Sequence, residues 1–311
     1  MGVVFTFAGQ GAQRPGMLAD LPDSDTVRQT LAEADDTLDL PMAGLDEARR
    51  LADTRHVQIA LTVLGVASAR HLIADGAVVD AVMGLSIGAW PAAVIAGALA
   101  FDDALRLVAE RGRLMSCAYP KDYGMAAVIG LGEAHVRSLV DEVHSDRTPV
   151  YVGNVNGDEQ IVVAGHLTAL TRIAELAERA GAVRTQRLDV AVPSHCALLE
   201  APAAELDRAA AGVAFEPPEL AYFSANARRR LWHKEAVRDD LIFNMARTVY
   251  WAASARIVHE SGFKLAVEMP PGRVLTRLHP REDEVGEAVA VVDAGWHNAA
   301  ALTRRAAAAR R

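Results

Sequence analysis

The first third of the chain alternates between short, mainly apolar runs and longer stretches in which apolar residues recur every three or four positions. The short runs are of strand length and the longer stretches have helical spacing, with Gly76 suited to end a helix and Pro91 tolerable in a first turn. The predicted strands cover 2–7 and 78–86, and the predicted helices cover 26–38, 57–74, 87–99 and 101–118. This order, β-α-α-β-α-α, is typical of an α/β fold with a parallel sheet.

The middle of the chain has a different pattern, in which strand-like and helical segments follow one another as β-α-β-β-α-β. That order is typical of a ferredoxin-like unit. The strands are predicted at 124–131, 149–157, 159–166 and 183–192, and the helices at 133–144 and 167–181. We therefore expect a small domain at 124–192, inserted into a large domain made of 1–123 and 193–311. A late strand and turn are predicted at 264–272, and the Ala- and Arg-rich end, 303–311, is interpreted as a frayed helical tail.

Composition narrows the classes of function. The 311 residues are 51% hydrophobic, which is ample for a large core, and the formal net charge of -8 argues against a nucleic-acid binder. Two cysteines suggest a reducing compartment, and no Cys/His cluster has metal-ligand spacing, so no metal is expected. The N-terminus resembles no secretory signal and no apolar stretch approaches membrane length, so the expected location is cytoplasmic.

The stretch GLSIG places Ser86 between Gly84 and Gly88, directly after a predicted strand and before a predicted helix. Small residues two positions before and after a serine are what a nucleophile elbow requires, because that turn is tight. A plain strand-to-helix junction with a serine near the helix start explains the same five letters. The pattern alone leaves both interpretations open.

Three other features could complete a site. His195 follows a predicted strand, where α/β folds place active-site residues, although a histidine there is often merely packed or solvated. Arg111 could grip a carboxylate through two hydrogen bonds, but an arginine on a helix is usually a solvated charge. The Gly-rich loop at 8–16 fits neither a dinucleotide fingerprint nor a P-loop, so it is either a loop close to a ligand or a turn.

Taken in order, these stretches resemble the malonyl-CoA:acyl-carrier-protein transacylase family along nearly the whole chain. FTFAGQGAQRPGM is similar to the family's F-x-F-P-G-Q-G-S-Q, GLSIGAW to G-H-S-x-G-E, and EMPPG to E-x-G-P-G. ERGRLM follows the serine at the spacing of the family's substrate arginine. The resemblance implies an α/β-hydrolase-like parallel-sheet domain with an inserted small ferredoxin-like domain.

The resemblance also implies roles for individual residues. Ser86 would be the nucleophile and His195 its base, while the backbone N–H groups of Gln10 and Ile87 would form the oxyanion hole. Arg111 would hold the free carboxylate of the malonyl group. The family has no acidic third member, and a backbone carbonyl or an amide side chain orients the histidine, for which Asn244 is the candidate. Asn156 would lie near the substrate. No bound cofactor is implied, since a CoA thioester is the substrate, and the partner is an acyl-carrier protein.

Departures from the family pattern favour one branch. The residues that differ are Ala8, Leu85, Ala89, Trp90, Asn244 and Pro271. The resulting pattern is most similar to the malonate decarboxylase branch, whose epsilon subunit loads malonyl onto the complex's own carrier subunit. The alternative is a transacylase of fatty-acid or polyketide synthesis. A serine thioesterase or hydrolase and a non-catalytic module of a larger complex are further alternatives.

The basic run 227–234 has two interpretations. It contacts CoA phosphates or an acidic carrier protein, or it is a solvated surface loop.

Overall fold

The computed structural model describes residues 1–119, 121–190, 192–280 and 286–309. The strands are β1 (Gly2–Phe7), β2 (Ala81–Gly84), β3 (Tyr123–Ile129), β4 (Val150–Gly157), β5 (Gln160–His166), β6 (Arg184–Arg187), β7 (Ala221–Ser224), β8 (Arg229–Leu231), β9 (Val249–Tyr250), β10 (Phe263–Glu268) and β11 (Glu287–Ala290). The helices are α1 (Asp25–Leu38), α2 (Thr54–Ala74), α3 (Ala89–Ile95), α4 (Phe101–Ala118), α5 (Glu133–Val143), α6 (Leu167–Arg179), α7 (Glu200–Ala209), α8 (Lys234–Phe243), α9 (Trp251–Glu260), α10 (Val274–Leu278), α11 (Val291–Ala294) and α12 (Trp296–Ala308). Short 3-10 turns lie at Arg50–Ala52, Ser86–Gly88, Ala197–Leu199 and Asn244–Ala246.

The large sheet has the strand order β11-β10-β1-β2-β7-β8, and its neighbours are parallel except for the antiparallel pair β7 and β8. Both of its faces are buried. On β1, Val3, Phe5 and Phe7 pack into one apolar cluster, whereas Val4 packs into the cluster on the other face. Helices on both faces explain why this strand is a continuous apolar run rather than an alternating one. The predicted parallel α/β sheet is confirmed.

The small sheet has the order β6-β3-β5-β4-β9, with antiparallel pairs among its first four strands. The β-α-β-β-α-β order of its elements matches the sequence prediction. On β3, Ala126 and Val128 pack into the apolar cluster beneath α5 and α6, and Met125 and Ala127 face the opposite side. The fifth strand, β9, comes from the later part of the chain and pairs in parallel with β4, which the sequence pattern did not predict.

Three predictions about local structure need correction. The strand predicted at 183–192 covers only Arg184–Arg187, and the Leu188 N–H makes a last bond to the Met125 carbonyl at 3.0 Å; Ala191 lies outside the described residues. The predicted tail is not frayed, because α12 continues to Ala308 and Thr303 is fully buried. Its hydroxyl accepts a hydrogen bond from the Val78 N–H at 3.0 Å. The last two residues of that prediction, 310–311, are not described.

The third correction concerns apolar length. Helix α2 has 21 residues and includes an apolar window of 18 residues with a mean hydropathy of 1.5, so by length and composition it could cross a membrane. The prediction that no stretch approaches that length was therefore wrong. In the fold, 78% of the apolar window is buried inside the protein, where α2 packs against α1 and α4. The core helix of a large α/β fold is apolar all round for this reason.

Candidate active site

The turn that carries Ser86 is shaped by the two glycines beside it. A Cβ on Gly84 would lie 2.0 Å from the Gly88 carbonyl carbon, and a Cβ on Gly88 would lie 2.1 Å from the Phe7 carbonyl oxygen. The backbones therefore meet at distances that only glycine permits. Ser86 itself has φ 57°, a left-handed conformation that residues with side chains rarely adopt. Such strain costs about 1–3 kcal/mol and is concentrated at functional turns.

Ser86 is hydrogen-bonded to His195. The distance from Ser86 Oγ to His195 Nε2 is 2.9 Å, and His195 Nδ1 lies 2.7 Å from the backbone oxygen of Asn244. A carbonyl oxygen can only accept, so Nδ1 carries the proton and Nε2 of the neutral ring accepts from the serine hydroxyl. This tautomer is the one that a general base for serine requires.

The surroundings of His195 keep it neutral. Burial, helped by the charge of Arg111, lowers the pKa of His195 to about 4. The backbone is fixed as well, because the His195 N–H donates to the Met245 carbonyl at 2.6 Å and the residue has φ 66°. The imidazole is thus held in an unprotonated state, pointing at Ser86.

Arg111 is buried beside the same serine, with only 1% of its surface exposed. Its Nη1 donates to Gln58 Oε1 at 2.7 Å, and its Nη2 donates to Asn244 Oδ1 at 3.1 Å and lies 3.4 Å from Ser86 Oγ. Its Nε has no hydrogen-bond partner, and no carboxylate among the described residues forms an ion pair with the guanidinium group of Arg111. Burial lowers the pKa of Arg111 to about 9, which leaves it charged at neutral pH. An unneutralised cation in this position is a receptor for an anion.

Ser86 and His195 line a cleft of about 700 Å³ between the two sheets, whereas Arg111 and Asn244 are buried beside them. The wall formed by the small sheet carries amide side chains, those of Asn154, Asn156, Gln160 and Gln186. Asn156 is 9% exposed and its Oδ1 is buried without a hydrogen-bond partner in the described structure. The amides can donate to and accept from the amides of a ligand, and the same side of the cleft also carries the charged Arg187 and Asp189.

The Gly-rich loop lies against the serine turn. A Cβ on Gly9 would lie 2.6 Å from Leu85 Cδ2, so the loop backbone contacts the residue before Ser86 directly. Gln10 lines the cleft together with Ser86, and Ile87 is the buried residue that follows Ser86 in the 3-10 turn. The loop is thus close to the cleft, and it is not a turn remote from the site.

The structure brings Ser86, His195, Arg111 and Asn244 together and places Gln10 and Asn156 on the cleft wall. Sequence reasoning missed Gln58, which is 1% exposed on α2. Its signal was a polar residue within an otherwise apolar helical face. The sequence also left open how Asn244 acts: its backbone oxygen contacts His195 and its side chain contacts Arg111.

The fold and this arrangement define an α/β enzyme that can transfer an acyl group through a serine. The chain belongs to the acyl transferase domain family, whose model matches residues 4–297. It is therefore an acyltransferase, and the hydrolase and the non-catalytic module are the weaker alternatives.

Similar proteins carry consistent names. The chain is 36% identical over 283 residues to the malonyl CoA-acyl carrier protein transacylase of Escherichia coli K12, which covers 89% of this chain and 91% of the relative. It is 29% identical over 296 residues to the Bacillus subtilis transacylase, covering 94% and 93%. Its fold matches the Coxiella burnetii transacylase with a TM-score of 0.90 at 30% identity, covering 98% and 96%. A malonyl transacylase in complex with a type II PKS acyl-carrier protein matches with a TM-score of 0.91 at 33% identity, covering 97% and 100%.

Proposed function

We propose that this protein transfers a malonyl group from malonyl-CoA, through an ester on Ser86, to the thiol arm of an acyl-carrier protein. The observation that carries the proposal is the buried cation of Arg111, 3.4 Å from the serine hydroxyl and without a carboxylate partner among the described residues. An acyl group with a free carboxylate would neutralise that charge, whereas an acetyl group would leave it unpaired.

The first half-reaction follows from the hydrogen bonds. His195 Nε2 accepts the proton of Ser86 as Oγ attacks the thioester carbonyl carbon. The oxyanion that forms would be stabilised by the backbone N–H groups of Gln10 and Ile87. When the intermediate collapses, the C–S bond breaks and the CoA sulfur takes the proton from Nε2. The Asn244 carbonyl stabilises the imidazolium that exists between these two proton transfers.

The second half-reaction repeats these steps with the carrier thiol. His195 accepts the proton of the thiol, the sulfur attacks the ester, and the proton then returns to Ser86 Oγ. The net change is exchange of one thioester for another, so no cofactor is required beyond the CoA substrate. The proposed division of the chain, with residues 124–192 as a small domain over the cleft, would exclude water from the ester.

The acceptor is proposed to be the carrier protein of fatty-acid or polyketide synthesis. The similar proteins carry transacylase names, and one was solved with a type II PKS carrier. The preference for malonate decarboxylase rested on the six departures from the family pattern, and the comparisons lend it no support. A cytoplasmic location remains a prediction.

The test loads the protein with malonyl-CoA, follows the adduct by intact mass, and then adds one of two carriers. One carrier bears a phosphopantetheine arm and the other bears a dephospho-CoA-derived arm. Faster release to the phosphopantetheine carrier is expected. Faster release to the second carrier would support the malonate decarboxylase interpretation instead. Loss of the adduct to water, without transfer to either carrier, would identify a hydrolase.

The pH dependence of Ser86 reactivity tests His195 separately. A small neutral sulfonyl fluoride should modify Ser86 at a rate that is flat through neutral pH and falls only near pH 4, because His195 is unprotonated above its lowered pKa. Arg111→Gln removes a positive charge that helps to lower the pKa of His195, so the fall in the modification rate on the acid side should move to higher pH. An unchanged fall would contradict the coupling of Arg111 to His195.

A further inference from the structure

The basic run singled out in the sequence forms the outer hairpin of the large sheet. We name residues 227–234 the basic hairpin. Within it, β8 is the edge strand and pairs antiparallel with β7. Residues 228–234 contain four Lys or Arg residues, namely Arg228, Arg229, Arg230 and Lys234. All are exposed except Arg230, which is half-buried.

These four cations differ from many others on the surface. None of them forms an ion pair with a described residue, although cations elsewhere are paired with carboxylates. The paired ones include Arg28, Arg106, Arg113, Arg137, Arg172, Arg238 and Arg247. In a chain of net charge -8, the basic hairpin is therefore a local concentration of uncompensated positive charge.

Aromatic rings hold two of the guanidinium groups in place. Arg230 lies over the ring of Trp232 at 3.4 Å, and Arg228 lies over the ring of Tyr250 at 4.4 Å. Trp232 is 59% exposed, a large apolar area left open to solvent. Stacked arginine and exposed tryptophan are the residue types enriched at the centres of protein interfaces.

The turn of the basic hairpin lies at the edge of the sheet that carries the serine. Ser224, the last residue of β7, pairs with Gly84, two residues before Ser86. The Arg228 N–H donates to the Ser224 carbonyl at 3.0 Å, so the hairpin folds back at that edge. Tyr250, beneath Arg228, belongs to β9, which pairs with the strand that carries Asn156. A macromolecule bound here would be next to the cleft, not on the far side of the molecule.

We propose that the basic hairpin is the docking surface for the acidic face of the carrier protein. This inference rests on the proposed function for the identity of the partner. Positive charge suits either an acidic protein or the phosphates of CoA, but the exposed apolar ring of Trp232 favours a protein. None of the hairpin residues lines the cleft, and β8 is the edge strand of the large sheet.

The test compares Arg229→Glu/Arg230→Glu with the matched control Arg147→Glu/Arg179→Glu, which changes the same charge at exposed arginines on the small sheet's side. Each enzyme transfers malonyl to an acidic phosphopantetheine-bearing carrier and, separately, to free pantetheine. The hairpin variant should lose about tenfold in kcat/KM for the carrier, should lose much of the salt dependence, and should keep its rate with pantetheine. Trp232→Ala should weaken the carrier reaction in the same selective way.

An equal loss of kcat/KM for the carrier in both double variants would overturn the proposed docking surface. An unchanged kcat/KM for the carrier in the hairpin variant would overturn it as well. A selective rise in KM for malonyl-CoA would also overturn it, in favour of a phosphate contact. These outcomes are separate from failure of the proposed function, which would appear as absence of malonyl loading in the unmodified protein.

Discussion

Replacing Ser86 with alanine is expected to abolish the covalent malonyl adduct and to reduce malonyl transfer by at least about 10³-fold. His195 Nε2 is hydrogen-bonded to the serine hydroxyl at 2.9 Å, and removal of that hydroxyl leaves nothing on the residue to carry the acyl group. Intact mass after incubation with malonyl-CoA measures the adduct, and a carrier-coupled assay measures the transfer.

Ser68→Ala is the matched control, because Ser68 is a fully buried serine in α2 whose hydroxyl has no hydrogen-bond partner within the described part of the chain. This control should load malonyl like the unmodified protein. Thermal unfolding of Ser86→Ala separates lost chemistry from lost structure, because alanine at φ 57° keeps the same backbone strain. An adduct that persisted in a folded Ser86→Ala protein would show that another residue carries the malonyl group.

The sequence located Ser86 because the requirement there is local. Gly84 and Gly88 stand within two residues of the serine, and the contacts that exclude a Cβ involve the turn itself and the neighbouring strand. Short-range constraints of this kind leave a direct pattern in the sequence. The parallel character of the large sheet was also predicted, because continuous apolar strands buried on both faces alternate with helices, but its strand order was not.

Contacts between distant residues left no such pattern. Gln58 and Arg111 are 53 positions apart, and helical periodicity places Gln58 on a buried face without indicating its partner. The prediction of a frayed tail failed for the same reason. Thr303 in that tail accepts a hydrogen bond from the Val78 N–H, which is 225 positions away. The two-residue strand β9 is too short to have an apolar period. Its pairing with β4 depends on tertiary packing alone.

Asn244 joins the parts of the site that the sequence treated separately. Its backbone oxygen accepts from His195, its Oδ1 accepts from Arg111, and its Nδ2 lies 3.5 Å from the Ser86 carbonyl oxygen. The backbone contact does not depend on the side chain. Substitutions of the Asn244 side chain can therefore change the contacts and charge around Arg111 while His195 keeps its orientation.

Asn244→Asp is expected to reduce malonyl loading by about 100-fold while sparing acetyl loading. The new carboxylate would take the position of Oδ1, 3.1 Å from Arg111 Nη2, and would neutralise the cation. The malonyl carboxylate would then meet a filled receptor and a like charge, whereas an acetyl group carries no charge to repel. The measurement is the ratio of kcat/KM for malonyl-CoA to that for acetyl-CoA.

Two further variants make the result specific. Gln58→Glu places the same charge on the other side of Arg111, where Nη1 is 2.7 Å away, and should reduce the ratio in the same way. Asn244→Ala removes the contact without adding charge, and Arg111 keeps its bond to Gln58, so the ratio should fall by only several-fold. If Asn244→Asp kept the malonyl preference of the unmodified protein, the charge of Arg111 would not be what selects the acyl group.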